Sequence, residues 1–180
     1  KDGKIISHTW YFNHMRDWTS RASELIQNSF RINYNINWRN TSMFLVEMTQ
    51  QLNQLLYPFN FADEPLPSGK YHYLTLGATY VTDQRKLFSA LLGVSTGGFY
   101  NGKRNQYQLT LSYRKQPWGK FDLNFEQSNL RFPEDYGEVN LLLIGPRVEI
   151  NFSNNLSWTT FLQYNTQDDN FNINSRFQWR

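Results

Sequence analysis

Ten consecutive residues, Phe30-Arg31-Ile32-Asn33-Tyr34-Asn35-Ile36-Asn37-Trp38-Arg39, alternate between apolar and polar without a break. Successive side chains on an extended strand point to opposite faces. Phe30, Ile32, Tyr34, Ile36 and Trp38 therefore share one face, and Arg31, Asn33, Asn35, Asn37 and Arg39 the other. Strict period-two patterning of this kind excludes an amphipathic helix. A strand of about ten residues is also what a tilted strand needs to cross a bilayer.

The pattern recurs at the end of the chain, where Phe171, Ile173, Phe177 and Trp179 face away from Asn170, Asn172, Asn174, Arg176, Gln178 and Arg180. Leu156, Trp158, Leu162 and Tyr164 alternate with Ser157, Thr159, Gln163 and Asn165 just before it. A two-residue turn at Asp168-Asp169 would set Tyr164 against Ile173 and Trp158 against Trp179. A turn at Asn101-Gly102, a strong hairpin signal, would set Val94 against Leu109 and Leu92 against Leu111. Both registers keep apolar residues opposite mostly apolar ones, which a one-residue slip would destroy.

Read in full, the chain predicts about ten strands, near 4–15, 28–39, 42–54, 71–82, 87–100, 104–115, 119–131, 138–152, 156–166 and 170–180. One set of connections is short: 40–41, 83–86, 116–119 and 153–155. The other set includes two long loops, Arg16 to Gln27 and Leu55 to Lys70, beside tight turns near Asn101, Pro133 and Asp168. This partial asymmetry follows outer-membrane barrels, whose periplasmic turns are short. Trp38, Tyr113, Trp118, Phe152, Trp158 and Trp179 gather at the short-turn ends. Tyr71, Phe99, Phe132, Tyr136 and Phe171 gather at the opposite ends. Two such belts are expected at two membrane interfaces.

Composition fits the same reading. Aromatic residues make up 17 % of the 180 residues and charged residues 18 %, yet the mean hydropathy is negative. Strands that alternate lipid-facing and water-facing residues produce this combination. No apolar run approaches the about 20 residues of a membrane helix; Leu141-Leu142-Leu143-Ile144 is as long as any. The chain has no cysteine and a net charge of +3, so thiolate metal sites and disulfides are excluded. Its scattered basic residues give no nucleic-acid footprint.

The expectation is an all-β, antiparallel transmembrane β-barrel in a bacterial outer membrane. Residues 1–180 form part of one domain, a fragment of a larger barrel. A soluble β-sandwich or lipocalin-like barrel is the alternative, because alternation does not say which face points inward. Strands of soluble sheets, however, usually have about five or six residues.

Chemistry is sparse. His8 and His14 share a strand face, but about 20 Å apart at strand rise, too far to bind one metal. His72 stands alone. His14 with Asp17 and Ser20 suggests a hydrolase site only by proximity in sequence. Asp63-Glu64 and Asp168-Asp169 suit turns, or bridging cations between the protein and lipopolysaccharide. Gly97-Gly98 precedes no helix, so it is no phosphate loop; it reads as a bend or bulge. No catalytic constellation, cofactor or metal site is expected.

The candidate functional surface is the polar face. It would line a lumen with Arg31, Arg39, Glu47, Arg114, Asp122, Glu126, Arg147, Glu149, Arg176 and Arg180, among many Asn and Gln. Mixed signs fit a general hydrophilic channel, and equally a lumen filled by salt bridges or a plug. In the loop 57–67, Tyr57, Phe59 and Phe61 could stack on sugar rings or pack the loop onto the rim.

Several blocks carry a family resemblance: Leu66-Pro67-Ser68-Gly69-Lys70-Tyr71, Gly97-Gly98-Phe99-Tyr100-Asn101-Gly102-Lys103-Arg104, Leu130-Arg131-Phe132-Pro133, Phe161-Leu162-Gln163-Tyr164-Asn165 and Asn172 through Arg180. Together they resemble the C-terminal barrel domain of a Bacteroidota outer-membrane family of unknown function, often labelled hydrolase. The resemblance runs from about Gln50 to Arg180. It implies an upstream module similar to family 9 carbohydrate-binding modules, and a further strand or strands. It supplies no catalytic residues. Three functions follow as expectations. First is a channel or uptake component for a polar, glycan-related solute. Second is an accessory barrel that anchors a module or joins other outer-membrane proteins. Third, and weakest, is a hydrolase. The expected partners are the lipid bilayer, lipopolysaccharide, other outer-membrane proteins and a glycan, with no nucleic acid.

Overall fold

In the computed structural model, residues 4–20, 23–60, 64–133, 136–167 and 169–180 are described. They form ten strands: β1 (Ile5–Trp18), β2 (Leu25–Trp38), β3 (Met43–Leu55), β4 (Gly69–Val81), β5 (Phe88–Phe99), β6 (Gly102–Lys115), β7 (Gly119–Arg131), β8 (Glu138–Asn151), β9 (Leu156–Asn165) and β10 (Asn170–Trp179). All belong to one antiparallel sheet in the order β1 to β10. Each strand has the length and position that the alternation predicts, to within about three residues.

The sheet is open. Among the described residues β1 pairs only with β2, and β10 only with β9, so the closed barrel expected from the sequence is not formed by these strands. Alternation fixes the faces of a sheet, whereas closure depends on strand number and shear, which the pattern does not encode.

Two expected registers are corrected. In the β5–β6 hairpin Phe99 closes against Gly102, and Val94 meets Tyr107. The turn is therefore Tyr100-Asn101, with Tyr100 at φ 52°. Gly102 is spent on something else: a Cβ there would lie 2.6 Å from the Arg131 carbonyl oxygen. In the β9–β10 hairpin Asn165 meets Asn170 and Leu162 meets Ile173. The Thr166 N–H donates to the Leu142 carbonyl, and the Leu142 N–H to the Thr166 hydroxyl oxygen. Thr166 is thus tied to β8 before the turn begins. Both corrections are by two residues, so every side chain keeps its expected face.

The expected long loop Arg16 to Gln27 is also shorter. Arg16 pairs with Asn28, Asp17 with Gln27 and Trp18 with Leu25, which leaves 19–24 as the connection. At the other end of the sheet the turns are locked together. The Thr41 hydroxyl donates to Asp83 Oδ1 at 3.0 Å. Arg85 Nε and Nη2 reach the two Asp83 carboxylate oxygens at 3.0 Å each. The Arg85 guanidinium holds the Asp83 carboxyl well below the usual carboxylate range. A carboxyl depressed on folding stabilises in full above its unfolded range and loses that contribution as pH falls through the folded value. Wild type is therefore expected to lose more stability than Asp83→Asn on acidification below about pH 4, as measured by urea denaturation at stepped pH. Parallel losses in the two proteins would remove Asp83 from the account.

Burial is inverted relative to a soluble sheet. Leu76, Leu92 and Val94 are 48 %, 50 % and 54 % exposed. Ser29, Thr49, Asp122 and Ser128, on the opposite face, are buried. A flat single sheet would expose both faces alike, so the sheet curls around its polar face. The one buried apolar cluster among the described residues, Leu66, Leu130 and Phe132, lies on that same side. Leu130 shares the parity of Ser128 on β7.

Candidate functional site

Hydrogen-bonded neighbours carry the alternation across the whole sheet. One level of the apolar face reads Ile36, Phe44, Tyr80, Leu92, Leu109, Phe125, Ile144, Tyr164 and Phe171 from β2 to β10. The polar-face level beside it reads Asn33, Glu47, Gly77, Ser95, Gln106 and Ser128 from β2 to β7. Charge is sorted with the same rigour. Arg31, Glu47, Arg104, Arg114, Lys120, Asp122, Glu126, Arg147, Glu149 and Arg176 all lie on the polar face. Within the strands, the apolar face carries Asp, Glu, Lys or Arg only at its two ends.

The polar face has two chemically distinct parts. Its centre is a groove of about 170 Å³ lined by Glu47, Gly77, Thr79, Gly93, Gln106 and Gln108, among others. Two glycines make the floor. A Cβ on Gly77 would come within 3.1 Å of Glu47 Cγ, and one on Gly93 within 3.3 Å of Gln108 Cβ. Any larger side chain there would fill the space. Gln106 Nε2 donates to Glu126 Oε1 at 2.6 Å, which fixes a second carboxylate beside the groove. Asn33, the register partner of Glu47, has a buried side-chain oxygen without a protein donor. Glu47 in the groove and Glu126 beside it are carboxylate acceptors, which suit a hydroxylated or cationic solute.

Toward the short turns the polar face becomes basic. Arg114, Lys120, Glu149, Thr159 and Arg176 form one level across β6 to β10. The adjacent level sets Asp122 against Arg147. Asp122 accepts from the Ser112 hydroxyl at 2.5 Å and from Lys120 Nζ at 2.7 Å. Arg147 pairs with Glu149. Four cations here face two carboxylates. The half-exposed Arg147–Glu149 pair contributes little stability, whereas Asp122 is buried and held by both Ser112 and Lys120.

The register thus unites most of the expected lumen residues on one face and groups them in two. Glu47 and Glu126 flank the groove, while Arg114, Asp122, Arg147, Glu149 and Arg176 form the basic end. Arg31 stands apart, donating from Nε to the Thr49 hydroxyl at 3.3 Å. Arg39 lies beyond the end of β2, where its N–H donates to the Lys4 carbonyl. Lys120 and Arg104 belong to the same surface, and sequence reading passed over both. The odd and even parity of their strands was the available signal for each.

The loop between β3 and β4 is not a free external arm. Phe59 and Leu66 bridge across it, and Leu66 is wholly buried against Leu130 and Phe132. Tyr57 is 79 % exposed; Phe61 and Asp63 lie outside the described residues. Leu66, rather than an aromatic, anchors the loop. The second expected aromatic belt is corrected accordingly. Phe99 and Tyr136 pack around this cluster and Tyr71 stacks edge-on to Tyr100, all on the polar side. Of that set only Phe171 faces the apolar side. Near the short turns Trp158 stacks on Phe177 at 5.8 Å and Phe88 lies against Tyr113 at 4.8 Å, all four on the apolar face.

No protein-family model, curated protein or solved structure matches this chain.

Elsewhere the chemistry stays dispersed. His14 lies on the apolar face, bonded to Asn28 Oδ1 at 2.8 Å and approached by Arg16 Nε at 3.1 Å. Asp17 has the opposite parity, so His14, Asp17 and Ser20 do not converge. Among the described residues no three His, Asp or Glu side chains gather to hold a metal. Glu64 is exposed. Asp168 lies outside the described residues, and Asp169 accepts from the Tyr164 hydroxyl at 3.0 Å. Gly97 is required by contact: a Cβ there would lie 2.2 Å from the Leu74 carbonyl oxygen. The β4–β5 ladder ends at that point.

Proposed function

We propose that these ten strands form the wall of an outer-membrane β-barrel, whose polar face lines an aqueous lumen and passes or captures a polar solute. The sorting of charge carries this reading. All mid-strand charges lie on the polar face, where Ser29, Thr49, Asp122 and Ser128 are buried, and large exposed apolar side chains cover the other. In water this would leave a broad apolar surface without cover. In a bilayer it is the required arrangement. The open edges of β1 and β10 are where the wall is completed, since an exposed edge is a template for further pairing.

The glycine-floored groove is the solute contact within this lumen. Its acceptors, Glu47 and Glu126 above all, favour cationic or hydroxylated solutes over anions. A glycan fragment fits that chemistry. Planar bilayers supply the test. Wild type should give steady currents, and replacing both Glu47 and Glu126 by Gln should shift the reversal potential in a salt gradient toward anions. A wild type that inserts without conducting would favour the second reading, an accessory barrel anchoring a module or joining other outer-membrane proteins. The paired charges Lys120–Asp122 and Arg147–Glu149 are the observation on that side.

A further inference from the structure

The apolar face ends differently on its two sides. At the short turns it ends in aromatic rings. Toward the loops its aliphatic band gives way to Gln50, Thr96, Asn105, Asn129 and Asn140. Beyond these come cations. Arg16, Asn28, Leu52 and His72 share one level across β1 to β4. Lys70 lies one step further out, opposite Gln54. Lys103 and Arg131 stand directly opposite each other on β6 and β7, with Glu138 next on β8. Arg16, Lys70, His72, Lys103 and Arg131 are all exposed. Glu138 pairs with Arg131 at 2.6 Å. It is the one carboxylate on this belt among the described residues.

Like charges facing each other across a ladder are unfavourable; Glu138 answers Arg131 of the facing Lys103–Arg131 pair, and an anion at Lys103 would answer the other. Phosphate groups on lipid headgroups meet a barrel at this height, just past the apolar band. We infer that this belt binds the phosphorylated headgroups of the leaflet on the loop side. The inference rests on the membrane reading above and adds a ligand to it.

The full chain, refolded into phosphatidylcholine vesicles with and without lipid A, then extracted with its bound lipid, tests this. Insertion is scored separately, by protease protection in phosphatidylcholine alone. Wild type should insert in both and retain lipid A several-fold over phosphatidylcholine. Replacing Arg16, Lys70 and Lys103 by Gln should lower retention about fivefold per cation and leave insertion unchanged. Replacing the polar-face Arg114, Arg147 and Arg176 by Gln should leave retention unchanged. Insertion without preference for lipid A overturns the belt and spares the barrel. Equal loss in both triple variants, or displacement of lipid A by inorganic phosphate, also overturns it. Failure of wild type to insert overturns the membrane reading first.

Discussion

Val94→Arg should abolish assembly into vesicles, while Ser95→Arg, one residue on, should be tolerated. Val94 is 54 % exposed on the apolar face, at one level with Ala78 and Tyr107. Ser95 is its neighbour on the polar face, lining the groove beside Glu47. An arginine on the lipid side of a barrel near the midplane costs about 2–4 kcal/mol. On the polar side the same guanidinium meets water and a carboxylate. If the exposed face met water instead, Val94→Arg would be neutral or would raise solubility, since surface substitutions usually stay within about 0.5 kcal/mol. The two readings of the fold therefore predict opposite outcomes for one variant. Urea titration of vesicle-bound protein measures the difference. Equal stability of the two variants, or detergent-free monomers of Val94→Arg, would remove the bilayer from the account.

The faces were legible because alternation is a local property. Phe30 to Arg39 announce their parity within ten residues, and the register errors at both hairpins left it intact. What was not legible depends on contacts between distant segments. Gly102 looked like a turn residue because Asn-Gly favours turns; its actual constraint is the Arg131 carbonyl on the next strand. Phe132 and Tyr136 looked like a membrane belt because aromatics at strand ends usually are one. They turn inward because Leu66, more than sixty residues earlier, supplies the apolar partner. The groove was hidden for the same reason. Gly77 and Gly93 sit in separate strands, and only the ladder makes a common floor of them. Closure was the longest-range property of all, and alternation has no access to it.

Leu66→Ala should release the β3–β4 loop and enlarge the pore. Leu66 is wholly buried, in a chain where few large side chains are. Its truncation should cost about 2–5 kcal/mol. The cost falls on local stability. Phe59 exchanges two backbone hydrogen bonds with Leu66, at 3.0 and 2.9 Å, and the Tyr71 hydroxyl donates to the Pro67 carbonyl at 2.6 Å. A connecting loop outside the main ladder opens as a unit while the ten-stranded ladder stays intact. Protease cleavage within 56–68 should accelerate strongly. Tyr71→Phe, which removes one hydrogen bond worth about 1 kcal/mol, should accelerate it less. On the proposed lumen reading, a loop held through Leu66 on the polar side narrows the passage, and single-channel conductance should rise as the loop is freed. Faster cleavage with unchanged conductance would leave Leu66 as an anchor and deny the loop any part in the barrier. Unchanged cleavage would mean that the backbone pairing of Phe59 with Leu66, rather than the buried side chain, holds the loop in place.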